Sequence, residues 1–245
     1  MTYCVGLLVK EGLVLISDTR TNAGIDNIAS FRKLHLFEAP DRMLAIATSG
    51  NLSISQAVIG LLNEGFAHPE TGETETLAKA TSMFHAAQIV GLAVREVYRV
   101  DGPSLEQHDT RFEISLLLGG QIKGRRLRLF MIYSAGNFIE ATSDTPFLQI
   151  GEHKYGKPVL DRAVKYEIEI YDALKIGLIS MDSTMRSNLA VGLPIDILVL
   201  RRDTLAADLS YRITAEDHYF SDLRHRWSEA LREAHLAIPK PPYKT

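Results

Sequence analysis

The 245-residue chain is short of several things, and each shortage excludes a class of function. It has one cysteine, Cys4, so no internal disulfide forms and no Cys-x-x-Cys pair is available for metal or redox work. Within an apolar run, that cysteine reads as a small buried strand residue. Lys and Arg number 27 against 30 Asp and Glu, a net charge of -3, which leaves no basic excess for nucleic acid. No apolar run reaches the roughly 18 residues of a membrane-spanning helix, and no secretory h-region precedes the first strand, so neither membrane nor export is expected and the cytoplasm is the default. The eight histidines are scattered. His-Glu-x-x-His, a Gly-x-Gly-x-x-Gly after a strand and a Gly-x-Ser-x-Gly elbow are all missing. Zinc-peptidase, dinucleotide and serine-triad chemistry lose support, and neither metal nor cofactor is expected.

What is present begins at the second residue, in the run TYCVGLLVKEGLVLISDTRTNAGIDNIASFRK. If Met1 is removed, Thr2 becomes the amino terminus and carries a hydroxyl nucleophile and an amine on one residue. A threonine hydroxyl needs a neighbouring base, and an α-amine of pKa roughly 7.7 to 8.0 can take its proton near neutral pH. Tyr3 to Val9 and Leu13 to Arg20 read as a hairpin turned at Lys10-Glu11-Gly12. Val14, Ile16 and Asp18 share one face, and a carboxylate closing an apolar face needs a cation or several donors. Alternation across Phe31 to Phe37 sets Lys33 beside Phe31, His35 and Phe37, so this lysine is partly buried and needs a partner too. Asp18 and Lys33 are expected to pair near Thr2, with Lys33 holding charge or a proton beside the hydroxyl and Asp18 orienting it. The same pair also reads as a buried structural salt bridge.

Further along, Thr21 to Ser30 is rich in Asn, Ala, Gly and Ser and reads as a loop. Strands are expected at Phe31 to Glu38 and Arg42 to Thr48, the second ending at Ser49-Gly50-Asn51. A glycine at a strand-to-helix junction lets backbone approach a ligand, and the Gly50 N–H can point at a developing oxyanion. Helices follow at Leu52 to Glu64, stopped by Gly65, and at Thr76 to Val100, stopped by Asp101-Gly102-Pro103. A meander of Phe112 to Leu118, Leu127 to Tyr133 and Phe138 to Thr142 turns at Gly119-Gly120, Lys123-Gly124 and Ala135-Gly136-Asn137. Helices at Lys157 to Tyr166 and Ile170 to Met181 lead to strands Pro194 to Leu200 and Leu209 to Ile213. A capping box from Thr214 to Asp217 introduces a last helix, Tyr219 to Ala237. One domain is expected over residues 1–238, with an extended tail over 239–245. Strands apolar on both faces and helices arriving in pairs predict an α+β fold, two sheets face to face with helices outside each, a four-layer αββα sandwich.

The runs LISDTRTNAG, FRK and ATSGN resemble the proteasome-type branch of the N-terminal-nucleophile hydrolases. The opening MTYCVGLLV, with IGEHKYGKP and MDSTMRSNLAVGLPID, resembles more closely the bacterial proteasome-homologue family Anbu, over nearly the whole chain. The resemblance implies the same αββα fold, a threonine nucleophile acting on peptide or amide bonds, and a homo-oligomer built as a ring or an open helix. It implies that Thr21 and the Ser49-Gly50 corner hold substrate, and that Asp182 with Ser183 or Ser187 orients the terminal amine. Glu152 stands where proteasome subunits carry a serine, a departure that leaves the proton route open. Two other readings stay beside the threonine hydrolase acting on polypeptide: a non-catalytic assembly subunit, and an amidase of small molecules.

Overall fold

The computed structural model describes residues 2–22 and 28–243. The first hairpin forms where the pattern predicts it: β1 (Tyr3–Val9) turns into β2 (Gly12–Asp18), with Cys4 opposite Ser17. Every residue of both strands is buried, as expected of a sheet covered on both faces. After Thr19, β3 (Arg20–Asn22) and β4 (Ile28–Ser30) pair as a small ribbon where a plain loop is predicted. Residues 23–27 of that predicted loop lie outside the described residues.

Next come β5 (Leu34–Ala39), β6 (Arg42–Gly50) and α1 (Leu52–Glu64), the helix matching its predicted limits and closed by Gly65 at φ 88°. A short ribbon, β7 (Phe66–Ala67) with β8 (Thr74–Glu75), precedes α2 (Met83–Gln107). The meander is β9 (Ile114–Ile122), β10 (Arg128–Ile132) and β11 (Phe138–Glu140), followed by β12 (Phe147–Gly151). Helices α3 (His153–Ala163) and α4 (Ile170–Ser187), strands β13 (Ile195–Arg201) and β14 (Ala207–Ile213), and α5 (His218–Ala237) complete the chain.

One sheet runs β12-β1-β2-β13-β14 and the other β11-β10-β9-β6-β5, with every strand pair antiparallel. Three buried apolar clusters fill the three gaps between four layers. Leu44, Ile46, Leu116 and Leu118 of the second sheet meet Val58, Ala87, Val90 and Val94 of α1 and α2. Val5, Leu7, Val14 and Ile16 of the first sheet meet Leu160, Leu174 and Leu178 of α3 and α4. The opposite faces, through Leu13, Leu15, Ala45, Leu117 and Leu129, close on each other. The predicted αββα sandwich is the observed architecture.

Several predicted boundaries move. Helix α2 starts at Met83 because Ser82, accepting the His85 N–H at 3.1 Å, is its cap, whereas Thr76 makes no such bond and precedes a 3-10 turn at Leu77–Lys79. Asp101-Gly102-Pro103 lies inside α2, since Gly102 is buried against the Tyr98 ring and Pro103 forfeits only its own N–H bond. Gly119 and Gly120 are not a turn either. A Cβ on Gly119 would lie 2.4 Å from Leu13 Cδ2 and one on Gly120 2.2 Å from the Met43 carbonyl oxygen, so both permit close approach within β9. Strand β12 is absent from the predicted set, and α3 starts at His153 rather than Lys157. Asp217, accepting the Phe220 N–H at 2.7 Å, caps α5, while Thr214 donates to Glu216 and forms no capping box.

Candidate active site

Thr2 sits at the entrance to β1, buried, and its carbonyl oxygen accepts the Glu152 N–H at 2.8 Å. That closure needs Gly151: its φ is 79°, and a Cβ there would lie 1.9 Å from the Thr2 carbonyl oxygen. The Lys33 Nζ donates to Thr2 Oγ1 at 2.7 Å, to Asp18 Oδ1 at 3.0 Å and to the Arg20 carbonyl at 2.6 Å. An ammonium has three protons, so this one is fully matched. Both partners of the ion pair are nearly sealed from solvent, with side-chain exposures of 5% for Lys33 and 0% for Asp18.

The elements explain the meeting. Asp18 ends the helix-facing row of β2, and Lys33 stands just before β5 in the opposite sheet, its carbonyl accepting the Thr48 N–H at 2.9 Å. The ion pair therefore joins a residue of the first sheet to one held by the second. Lys33 is buried as predicted, but it lies outside the strand, and its predicted neighbour Phe31 is 38% exposed. Asp18 also receives the Tyr3 N–H at 3.0 Å and the Gly192 N–H at 3.4 Å. Burial pushes the Asp18 carboxyl up from its ordinary value, against the pull of Lys33 and of those two amides.

Gly50 and Ser49 end β6 and line a groove of about 920 Å³ that Thr2 also borders. Asn51 N–H bonds the Glu113 carbonyl at 2.8 Å on one edge of β6, and Thr48 N–H bonds Lys33 on the other. Alternation turns the Gly50 N–H to the Lys33 edge, beyond the end of β5. At φ 107°, with a Cβ placed 2.3 Å from the Glu113 carbonyl oxygen, only glycine suits this corner. Thr21 pairs with Ala29 in the β3–β4 ribbon, and its buried Oγ1 has no hydrogen-bond partner among the described residues.

The remaining candidates are placed differently. Asp182 is fully buried inside α4, where its two oxygens accept from Arg186 at 3.0 Å and Arg224 at 2.6 Å, so its described bonds tie α4 to α5 rather than to Thr2. Ser183 bonds the Ile179 carbonyl one turn back in α4. Ser187 is the exposed last residue of α4, and its hydroxyl makes no hydrogen bond among the described residues. Glu152 touches Thr2 through its amide, while its carboxylate has only a 4.0 Å approach from Lys154.

Sequence reasoning missed the backbone contributors: the Arg20 carbonyl and the Tyr3 and Gly192 amides. Main-chain groups leave no residue-type signal, although a glycine between Val191 and a proline-marked turn was a hint. It also missed a buried side-chain chain behind Thr2. There the Tyr3 hydroxyl meets Ser180 Oγ at 2.7 Å and accepts from Gln149 Nε2 at 2.6 Å, and Ser180 donates to the Gly156 carbonyl at 3.0 Å. Among the described residues no group of three or more His, Cys, Asp or Glu side chains could hold a metal ion, and no helix is long and apolar enough to cross a membrane.

Two face-to-face antiparallel sheets between helix layers, with a groove at one edge bordered by Thr2, define the proteasome-like N-terminal-nucleophile fold. No protein-family model matches the chain, and no curated protein does. Solved structures do. An Anbu mutant from Hyphomicrobium sp. strain MC1 is 48% identical, covering 99% of this chain and 100% of its own, at a TM-score of 0.91. Anbu from Yersinia bercovieri, described as an ancestral beta-subunit, is 45% identical over 99% and 100% at 0.90. The helical assembly of the Anbu complex from Pseudomonas aeruginosa supplies a third, 45% identical over 98% of each chain at 0.89. The chain belongs to the Anbu family of proteasome homologues.

Proposed function

We propose that the protein is an N-terminal threonine hydrolase of peptide or amide bonds, active once Met1 is removed. One observation carries the reading: the Lys33 ammonium lies 2.7 Å from Thr2 Oγ1 while anchored on Asp18 at 3.0 Å. A cation held there lowers the cost of an alkoxide. Thr2 Oγ1 attacks the carbonyl carbon as its proton passes to the residue's own α-amine. The Gly50 N–H receives the oxyanion. Collapse of the tetrahedral intermediate breaks the C–N bond, the leaving amine takes the proton, and an ester on Thr2 remains. Water, deprotonated by the same amine, attacks that ester and restores the hydroxyl. Ser49 and Thr21 flank the acyl side, and Asp182 with Ser187 acts at longer range on the end of α4 beside the site. Copies of the chain assemble into an open helix or ring, the reading favoured by the helical assembly of the Pseudomonas aeruginosa relative.

Intact mass of the native protein reads the processing of Met1, and a peptide epoxyketone reads the reactivity of the free threonine. Addition of one probe to processed protein, abolished in Thr2→Ala, is the expected result. Processed protein that forms no adduct overturns the proposal and favours a non-catalytic assembly subunit. Cleavage of an unfolded protein, compared with simple amides, separates polypeptide from small-molecule substrates.

A further inference from the structure

Resting on the reading that Thr2 attacks the scissile bond, we propose that the open edge of β12 takes the leaving side of the substrate as an added antiparallel strand. The groove there selects polypeptide with Lys or Arg in that segment.

Strand β12 ends its sheet, with β1 on one side and, among the described residues, no strand on the other. The Leu8 N–H bonds the Pro146 carbonyl at 2.7 Å, and the Glu152 N–H bonds the Thr2 carbonyl at 2.8 Å. Even-numbered residues of this stretch therefore face β1, and the period of two turns the amides and carbonyls of Phe147, Gln149 and Gly151 outward. The Gly151 carbonyl meets a ring nitrogen of His153 at 3.1 Å, leaving the row at Phe147 and Gln149 open to a new strand. That row forms a wall of the same groove of about 920 Å³ that Thr2 and Gly50 border. Substrate leaving Thr2 passes Gly151 first and Phe147 last, against the direction of β12. An edge of this length takes about four extended residues.

The charge of the groove chooses the sequence. Glu113 and Asp144 line it with no ion pair among the described residues, and Glu152 adds a third carboxylate. The lining Lys157 is already held by Asp161 at 2.5 and 2.7 Å, so it neutralises a fourth carboxylate, and of the other three only Glu152 has a cation near it, Lys154 at 4.0 Å. His153 and Tyr133 are the other titratable groups that line the groove. Cationic side chains on the added strand complement this field, and acidic ones are repelled.

The test uses the full chain carrying Thr2→Ala, which binds without cutting. Fluorescein-labelled peptides of about eight residues, identical except for two lysines or two glutamates, are compared by fluorescence anisotropy at low salt. The lysine peptide is expected to bind about fivefold to tenfold more tightly, and Glu113→Gln with Asp144→Asn is expected to erase the difference. N-methylation of alternate peptide amides should abolish binding in one phase and spare it in the other, a period-two signature that no general charge attraction gives. Equal affinity for the two peptides, binding of neither, or equal tolerance of N-methylation in both phases overturns the proposal. Because this assay lacks the nucleophile, binding that survives while processed wild-type protein forms no epoxyketone adduct sinks the proposed hydrolase alone.

Discussion

At Lys33 three acceptors meet three protons, and none of the acceptors can be removed without leaving a buried donor unmatched. Replacing the lysine itself is worse, since the Asp18 carboxylate then stays sealed with only two amides. Lys33→Met should destabilise the fold by about 3 kcal/mol and abolish reaction with the threonine probe. Adding Asp18→Asn should restore part of the stability and none of the reactivity, which thermal melts and intact mass distinguish. Gly151 presents a steric limit instead of a charge. With a Cβ 1.9 Å from the Thr2 carbonyl oxygen, Gly151→Ala should displace Thr2 or β12, costing about 3 kcal/mol and the probe reaction together. The residues behind Thr2 set an alkaline limit. Burial pushes the Tyr3 phenol and the Cys4 thiol each up to about 12, from ordinary values of 10.0 and 9.0. The unfolded chain loses these protons first, so the stability they contribute is complete below about pH 9 and falls as the pH rises toward 12. Melting temperature should drop across that window, and a thiol reagent at pH 8 should label Cys4 only after denaturation.

Among the elements, those announced by apolar period and a clear stop were legible: β1, β2 and α1 match their predicted ranges closely. Glycines inside an element were not. Gly119-Gly120 looks like a turn in sequence and Gly151 lies in no predicted strand, yet each is a strand position where another backbone or side chain approaches too closely for a Cβ. Proximity of this kind belongs to the tertiary fold, so β12 was invisible until its neighbours were in place. The core of the site followed the same division. Asp18 and Lys33 were legible because a buried charge demands a partner, whereas the roles of Asp182 and Ser187 depended on where α4 ends, which the pattern misplaced. The longer α4 brings Asp182 against α5, and Arg224 from α5 is one of its two cations. Arg224→Ala leaves a fully buried carboxylate with Arg186 alone, and should cost about 2 kcal/mol. Hydrogen exchange should quicken along α5 while the amides of β1 and β2 keep their protection.

For the whole molecule, the consequence of four layers is that the candidate site is split between the two sheets: Thr2 and Asp18 belong to the first, and Lys33 is held by the second. Their 2.7 and 3.0 Å contacts are therefore set by the thickness of the middle layer, which Leu13, Leu15, Leu117 and Leu129 fill. Gly119 is the thin point of that layer, facing Leu13 Cδ2 at 2.4 Å from where a Cβ would stand. Gly177 is a comparable thin point one layer out, between α4 and the first sheet, where a Cβ would meet Ile16 Cδ1 at 2.6 Å and Leu7 Cδ1 at 2.9 Å. Gly119→Val and Gly177→Ala should each cost about 1 to 3 kcal/mol by overpacking. Only the first wedges the sheets apart. With both variants held well below their melting temperatures, Gly119→Val should slow epoxyketone addition at Thr2 by about tenfold or more, whereas Gly177→Ala should react close to the wild-type rate. Equal slowing in the two would mean that the Lys33 to Thr2 distance follows overall stability and not the spacing between the sheets.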